Sequence, residues 1–181
     1  MLTLWDLIKP KKRAKPPAKQ RALPGRPAGG TKTGAMQAKY DAMVREELER
    51  YGIRVRKWRT SMTGVAWVVK YHDGREARLI EAPRPKGPMS AAIFLHEIGH
   101  HAIGFRTYSP RCLEEYQAWA WSLREMERLG LNVTESVRAR MHDSLHYAVH
   151  KANRRGLKRL PVELEPFTVP RRRARRANAA R

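Results

Sequence analysis

Hydrophobic and polar positions change period twice along this chain, and the changes mark its elements. From Ala35 to Tyr51, AMQAKYDAMVREELERY sets Met36, Tyr40, Met43 and Leu48 roughly on one side of a helix, and Gly52 supplies a stop. The period then shortens. IRVRKWR (53–59), VAWVVKY (65–71) and EARLIEA (76–82) are β-branched and aromatic-rich, with His72-Asp73-Gly74 as a tight turn between the last two. They predict three antiparallel strands, ended by PRPKGP at 83–88. Helical spacing returns over 89–103 before Gly104, over 112–129 before Gly130, and over 133–155. The last of these carries a stripe of Val133, Val137, Met141, Leu145 and Val149, and Asn132 with Glu135 resembles its capping box. The expected fold class is α+β, a small antiparallel sheet of three strands or slightly more packed on helices.

Charge changes this picture at the ends. The 181 residues carry 38 Lys+Arg against 17 Asp+Glu, a net of +21. Residues 1–35 hold nine basic side chains against Asp6 alone, and residues 166–181 hold six arginines and no acid. Residues 9–34 are almost all Lys, Arg, Pro, Gly and Ala, too little apolar surface to offset the entropy of ordering, so disorder is expected there. The expected organisation is a basic tail at 1–34, a folded domain at 35–160 and an Arg-rich tail at 161–181. Lys11, Lys12, Arg13, Arg171, Arg172 and Arg173 are candidate phosphate contacts, which makes nucleic acid the expected partner of the tails. A membrane fits less well, since no amphipathic helix accompanies the charge. The start, MLTLWDLIKP, lacks the basic lead-in and cleavage site of a signal peptide, and no apolar run approaches the roughly 20 residues that cross a bilayer. A cytoplasmic protein is expected. The single cysteine, Cys112, excludes an intramolecular disulfide.

Candidate chemistry concentrates in HEIGH, residues 96–100. On a helix, His96 and His100 stand one above the other and can present two imidazole nitrogens to one ion. Glu97 is turned about 100° around the axis, out of the ligand set but within reach of a metal-activated water. A hydrolytic site needs a third protein ligand, and Glu114, Glu115, Cys112 and the downstream histidines are available. Leu113, Tyr116, Trp119, Ala120, Leu123, Met126 and Leu129 define the apolar face of the next helix. Glu115 falls about 80° from the centre of that face and Glu114 about 180°, which directs Glu114 to water and nominates Glu115 as the ligand.

FLHEIGHHAIGF followed by EEYQAWAWSL resembles the gluzincin branch of the zincin metallopeptidases, nearest to the compact ImmA/IrrE-like group and related small phage or plasmid proteins. The likeness covers roughly residues 53–130. It implies Zn²⁺ as cofactor on His96, His100 and Glu115, Glu97 as catalytic base, and Trp119-Ala120 as the aromatic-Ala pair that follows the ligand glutamate. Tyr116 stands where the family usually has Ala, and no helix-turn-helix module is present. The resemblance also implies a compact zincin-like domain whose sheet edge binds an extended peptide, with EARLIEA (76–82) as candidate edge strand. A bacterial or phage-infected cytoplasm follows from the same likeness.

His142, His146 and His150 recur at i, i+4, i+8; the row reads as a polar flank beside the core, with His146 its central candidate as an oxyanion donor alongside Tyr108 and Tyr116. His101 is expected as a partly exposed helix residue. Trp121 lies opposite the apolar face of its helix, which calls for a covering segment such as the 36–51 helix, or a partner. The expected function is a zinc metallopeptidase with a protein substrate, acting on a nucleic-acid-associated protein. The alternative is a non-catalytic nucleic-acid-binding phage or plasmid accessory protein with a structural or vestigial zinc site. An intact Glu97 favours the enzyme, because a retired site has no need of that base.

Overall fold

The computed structural model describes residues 32–171; the tail segments at 1–31 and 172–181 lie outside it, and with them Lys11, Lys12, Arg13, Arg172 and Arg173. Helix α1, Lys32–Tyr51, buries Tyr40, Met43 and Glu47 along one face and stops at Gly52, whose φ of +60° suits glycine. Strands β1 (Ile53–Arg59), β2 (Val65–Lys70) and β3 (Glu76–Pro83) follow. Beyond them come α2 (Pro88–Ile103), α3 (Arg111–Arg128), α4 (Glu135–Arg154) and a short 3₁₀ turn, Val162–Phe167.

The three strands form where expected, but not in an all-antiparallel sheet. Their order is β1-β3-β2, with β2 antiparallel and β1 parallel to β3. Residues 60–64 therefore cross the C-terminal end of β3, since Arg59 is level with Pro83 and Val65 with Glu81. Burial explains the order. β3 is the most buried strand, with Ala77, Ile80 and Ala82 covered, and the centre is the only place where both its neighbours shield it. Glu81, also buried there, is held by Arg56 at 2.9 Å and Arg59 at 3.0 Å. The expectation that residues 76–82 form an edge strand is thus overturned: the edges are β1 and β2.

Helix α2 runs through the middle of the domain, buried from Ser90 to His101. Phe94, Leu95 and Ile98 are fully covered, and each such side chain contributes about 1.5–3 kcal/mol over leaving it in water. Helix α3 packs on α2 at Gly99, where an added Cβ would lie 2.8 Å from the Ala118 carbonyl and 3.1 Å from Trp121. The glycine of HEIGH is therefore what lets the two helices approach. Ser122 adds a buried hydrogen bond across the same contact, donating to the Ala92 carbonyl at 2.9 Å. Trp121 is covered by the end of α1, its ring edge-on to Tyr51 at 5.7 Å.

Two local expectations change. Thr134, not Asn132, caps α4, its hydroxyl accepting from Val137 N–H at 3.3 Å. The segment 161–167, expected in the C-terminal tail, belongs to the folded domain: Leu164 is fully buried against Cys112 and Val149. Among the described residues no helix is long and apolar enough to cross a membrane.

Candidate metal centre

His96 and His100 leave α2 toward α3, and the close approach at Gly99 brings Glu115, at the start of α3, against both. Glu115 Oε2 lies 3.4 Å from His96 Nε2 and 3.6 Å from His100 Nε2. One donor atom from each residue falls within 4.8 Å of the other two, so this buried group can hold a metal ion. The spacing fits a small divalent ion, because tetrahedral donors about 2.0–2.2 Å from a centre stand roughly 3.3–3.6 Å from one another. The three nominated ligands converge as expected.

Aromatic walls fix the rings. Trp119 stacks on His96 with centroids 4.5 Å apart, and Phe105 stacks on His100 at 6.0 Å. Trp119 thus has a positioning role that its place on the apolar face did not disclose. The far nitrogens, His96 Nδ1 and His100 Nδ1, are buried without a hydrogen-bond partner. His100 Nδ1 faces Glu114 Oε1 at 3.7 Å, slightly too distant for a hydrogen bond, and the same oxygen is ion-paired with Arg111 Nη1 at 3.3 Å. Metal-bound imidazoles commonly pass their second N–H to a carboxylate, and Glu114 stands where that carboxylate belongs.

Glu114 is the clearest correction to the sequence reading, which directed it to water. It is 1% exposed. Its Oε2 accepts from the Arg106 backbone N–H at 2.7 Å, pinning a residue whose φ of +62° is costly for a side chain with a Cβ. The wheel failed because residues 104–110 fold over the start of α3 and cover a face that would otherwise meet solvent. His101 is likewise buried, with Nε2 3.1 Å from the Leu79 carbonyl, and it braces α2 against β3. Burial lowers its pKa to about 4, which keeps the ring neutral.

Electrostatics within the group follow from burial. Desolvation lowers the His96 pKa to about 4, so the imidazole is neutral and free to ligate. Burial alone would raise Glu115, but the imidazoles of His100 and His96 outweigh it and hold the carboxyl well below its ordinary range. Desolvation raises Glu97 to about 7. A bound cation would draw that value back down. Glu97 lies under the β1–β2 connection, where a Cβ on Gly64 would fall 2.4 Å from its Oε1. No larger residue at 64 leaves room for that carboxylate.

These residues line a cavity of about 340 Å³. Val65 and Ala66 of β2 form one side, and Arg140 and Ser144 of α4 another. Arg140 donates from Nη2 to the Met62 carbonyl at 3.1 Å, which holds the 60–64 connection in place, while its Nε is buried and unpartnered. Sequence reading missed Arg140, which stands on α4 as an ordinary surface-type residue. It read the histidine row on α4 as a polar flank and named His146, Tyr108 and Tyr116 only as candidate oxyanion donors; none of the three lines this cavity. His146 turns the other way, its Nδ1 2.8 Å from the Phe167 carbonyl, and Tyr116 packs against Phe167 with centroids 6.1 Å apart. Arg171, the one candidate phosphate contact within the described residues, lies 3.8 Å from Glu135. Compared with protein-family models, curated proteins and solved structures, the chain matches none.

Proposed function

We propose that the protein is a zinc metallopeptidase of the gluzincin kind, hydrolysing peptide bonds. The observation that carries this reading is the convergence of His96, His100 and Glu115, with Glu97 buried beside them in the same cavity. Two imidazoles and one carboxylate, with room for a fourth position, are the donor set that suits a catalytic zinc rather than a closed structural one. When bound, zinc supplies a Lewis acid for the scissile carbonyl and acidifies water. Glu97 takes a proton from the water onto its carboxylate and returns it to the leaving amine. Glu114 orients the His100 ring, and Trp119 that of His96. Arg140 supplies a fixed positive charge in the cavity wall for the oxygen of the bond under attack.

The β2 edge supports a peptide as substrate. Val65 and Ala66 bring an unpaired strand edge to the cavity, where an extended chain can add through main-chain hydrogen bonds. This replaces residues 76–82 as the docking strand. The basic tails extend the proposal to a substrate found near nucleic acid. Full-length chain should bind duplex DNA with an affinity that falls steeply with salt, and binding unchanged between low and physiological salt would remove that extension.

Metal analysis joined to cleavage tests the central reading. The wild type should hold one zinc per chain and cut an unfolded protein. Glu97→Gln should hold the same zinc with cleavage lowered about 10²–10⁴-fold. Cleavage by Glu97→Gln at the wild-type rate would refute the mechanism.

A further inference from the structure

The space at the metal site does not end at Glu115. A larger cavity of about 760 Å³ opens beyond it and shares Arg111, Glu115 and Ser144 with the first. It runs between the start of α3 and the last turns of α4. Half-buried Ala148, Ala152 and Leu157 form an apolar floor, and exposed Arg111, Lys151 and Arg155 form the rim. Glu115 is the single carboxylate lining this cavity among the described residues, and its Oε2 is turned to the histidines. Arg111 partly offsets the other oxygen, with Nε 3.2 Å from Oε1. Lys151 and Arg155 remain facing the groove. Beside them stands Tyr147, 61% exposed, with the Lys151 ammonium 5.9 Å from its ring centroid.

We infer that this groove is the substrate's binding site next to the bond cut, and that it selects peptides carrying an acidic side chain beside an apolar one. The Asp or Glu meets Lys151 and Arg155, while the neighbouring aliphatic residue covers Ala148, Ala152 and Leu157. The inference rests on the peptidase reading, since it takes the metal site to be where the peptide is cut. Charge rules out the chain's own RRRARR segment as occupant, because it carries the sign of the rim. The apolar floor argues against a phosphate backbone, which gains nothing from burying alanine and leucine. An acidic peptide answers both halves of the lining, and the chain's net charge of +21 draws it in.

Two measurements on the full-length, zinc-loaded chain test this. In the first, a randomised peptide library is digested and the cut sites are read by mass spectrometry. Asp and Glu should be enriched at one fixed position from the cut. Lys151→Glu combined with Arg155→Glu, both on exposed positions and judged by unchanged zinc content, should shift that enrichment to Lys and Arg. In the second, the Glu97→Gln chain is titrated with a labelled peptide bearing Glu-Leu at its centre and with its Gln-Leu counterpart, followed by anisotropy. The acidic peptide should bind on the order of 10-fold tighter, as two exposed ion pairs allow, and the charge-reversed chain should lose the difference.

Acid-selective binding without any library cleavage would retire the peptidase reading and leave the groove assigned. Cleavage without acidic preference, a preference that survives charge reversal, or no binding of either peptide would each overturn the groove. So would displacement of the acidic peptide by a short oligodeoxynucleotide as effectively as by the unlabelled peptide, which would give the rim to phosphates.

Discussion

Helix α3 buries carboxylates at both of its ends, and the two ends treat them differently. At the C-terminal end, Glu125 and Glu47 are shared among cations of the same chain: Arg128 reaches Glu125 at 2.6 Å and Glu47 at 3.1 Å, and Arg50 reaches Glu125 at 3.3 Å. At the N-terminal end, Glu114 and Glu115 face the imidazoles of His96 and His100, and among the described residues Arg111 is the one Lys or Arg that touches them. The first cluster is closed, its charges neutralised by neighbours that cost little to hold at a half-exposed rim. The second leaves both far imidazole nitrogens, His96 Nδ1 and His100 Nδ1, and Arg140 Nε buried without hydrogen-bond partners, against Glu47 Oε2 alone in the first. Buried polar atoms without partners cost about 1–3 kcal/mol each, and here the cost falls on the rings of the group that can hold a metal ion. Similar residue types form a closed ion-pair cluster at one end and a group that can hold a metal ion at the other.

The comparison can be broken by exchanging the damage. Glu115→Ala should remove stoichiometric metal altogether, while Glu125→Ala should leave metal content intact and lower the unfolding midpoint. Metal analysis and thermal melts on the same samples decide it, and full zinc in Glu115→Ala would break the ligand assignment. Gly64→Ala comes next. Its methyl has no space above Glu97, and a displacement of about 1 Å at a reacting group costs on the order of 10²-fold in rate, with metal retained. A wild-type rate in that variant would show that the connection yields freely. Glu114→Gln should weaken the metal by about 10–100-fold without changing its stoichiometry at excess, because the ring of His100 loses the carboxylate behind it. An unaltered zinc dissociation constant would return Glu114 to a purely structural role in holding Arg106.

The two ends also differ in how far they were legible. His96, Glu97 and His100 are a local pattern, and four-residue spacing on a helix is enough to align them. Glu115 could be chosen because a helical wheel resolves a flank from a back. Glu114 could not, since its burial depends on residues 104–110 folding over α3, which no periodicity records. Strand existence was legible and strand order was not: alternation assigns faces, whereas β3 takes the centre because it has the most surface to hide. Gly64 reads as an ordinary turn residue until Glu97 is found beneath it. The histidine row on α4 was visible, but the partner of His146 is the Phe167 carbonyl, in a segment whose composition resembled tail.

The smallest expected effect tests whether the closed end is closed by protons as well as by arginines. Glu47 is fully buried, and desolvation together with the neighbouring Glu125 raises its pKa to about 7, against the opposing pull of Arg50 and Arg128. In the unfolded chain it titrates near 4.5. Between those values the folded chain keeps a proton that the unfolded chain has lost, so this residue's contribution to stability is full below pH 4.5 and declines as pH rises toward 7. Glu125, whose pKa is lowered against its own desolvation by the Arg128 contact, works in the opposite sense below its ordinary range. Glu47→Gln keeps an oxygen for Arg128 but cannot ionise. Its stability relative to the wild type should therefore rise between pH 4.5 and 7 and level off above. The gain should be on the order of 1 kcal/mol, well short of the ~1.4 kcal/mol per pH unit of an isolated site, because the arginines beside it reach solvent. Chemical denaturation of both chains at pH 4.5, 6 and 8 and constant salt measures it. Parallel curves would mean that Arg128 and Arg50 alone neutralise the pair.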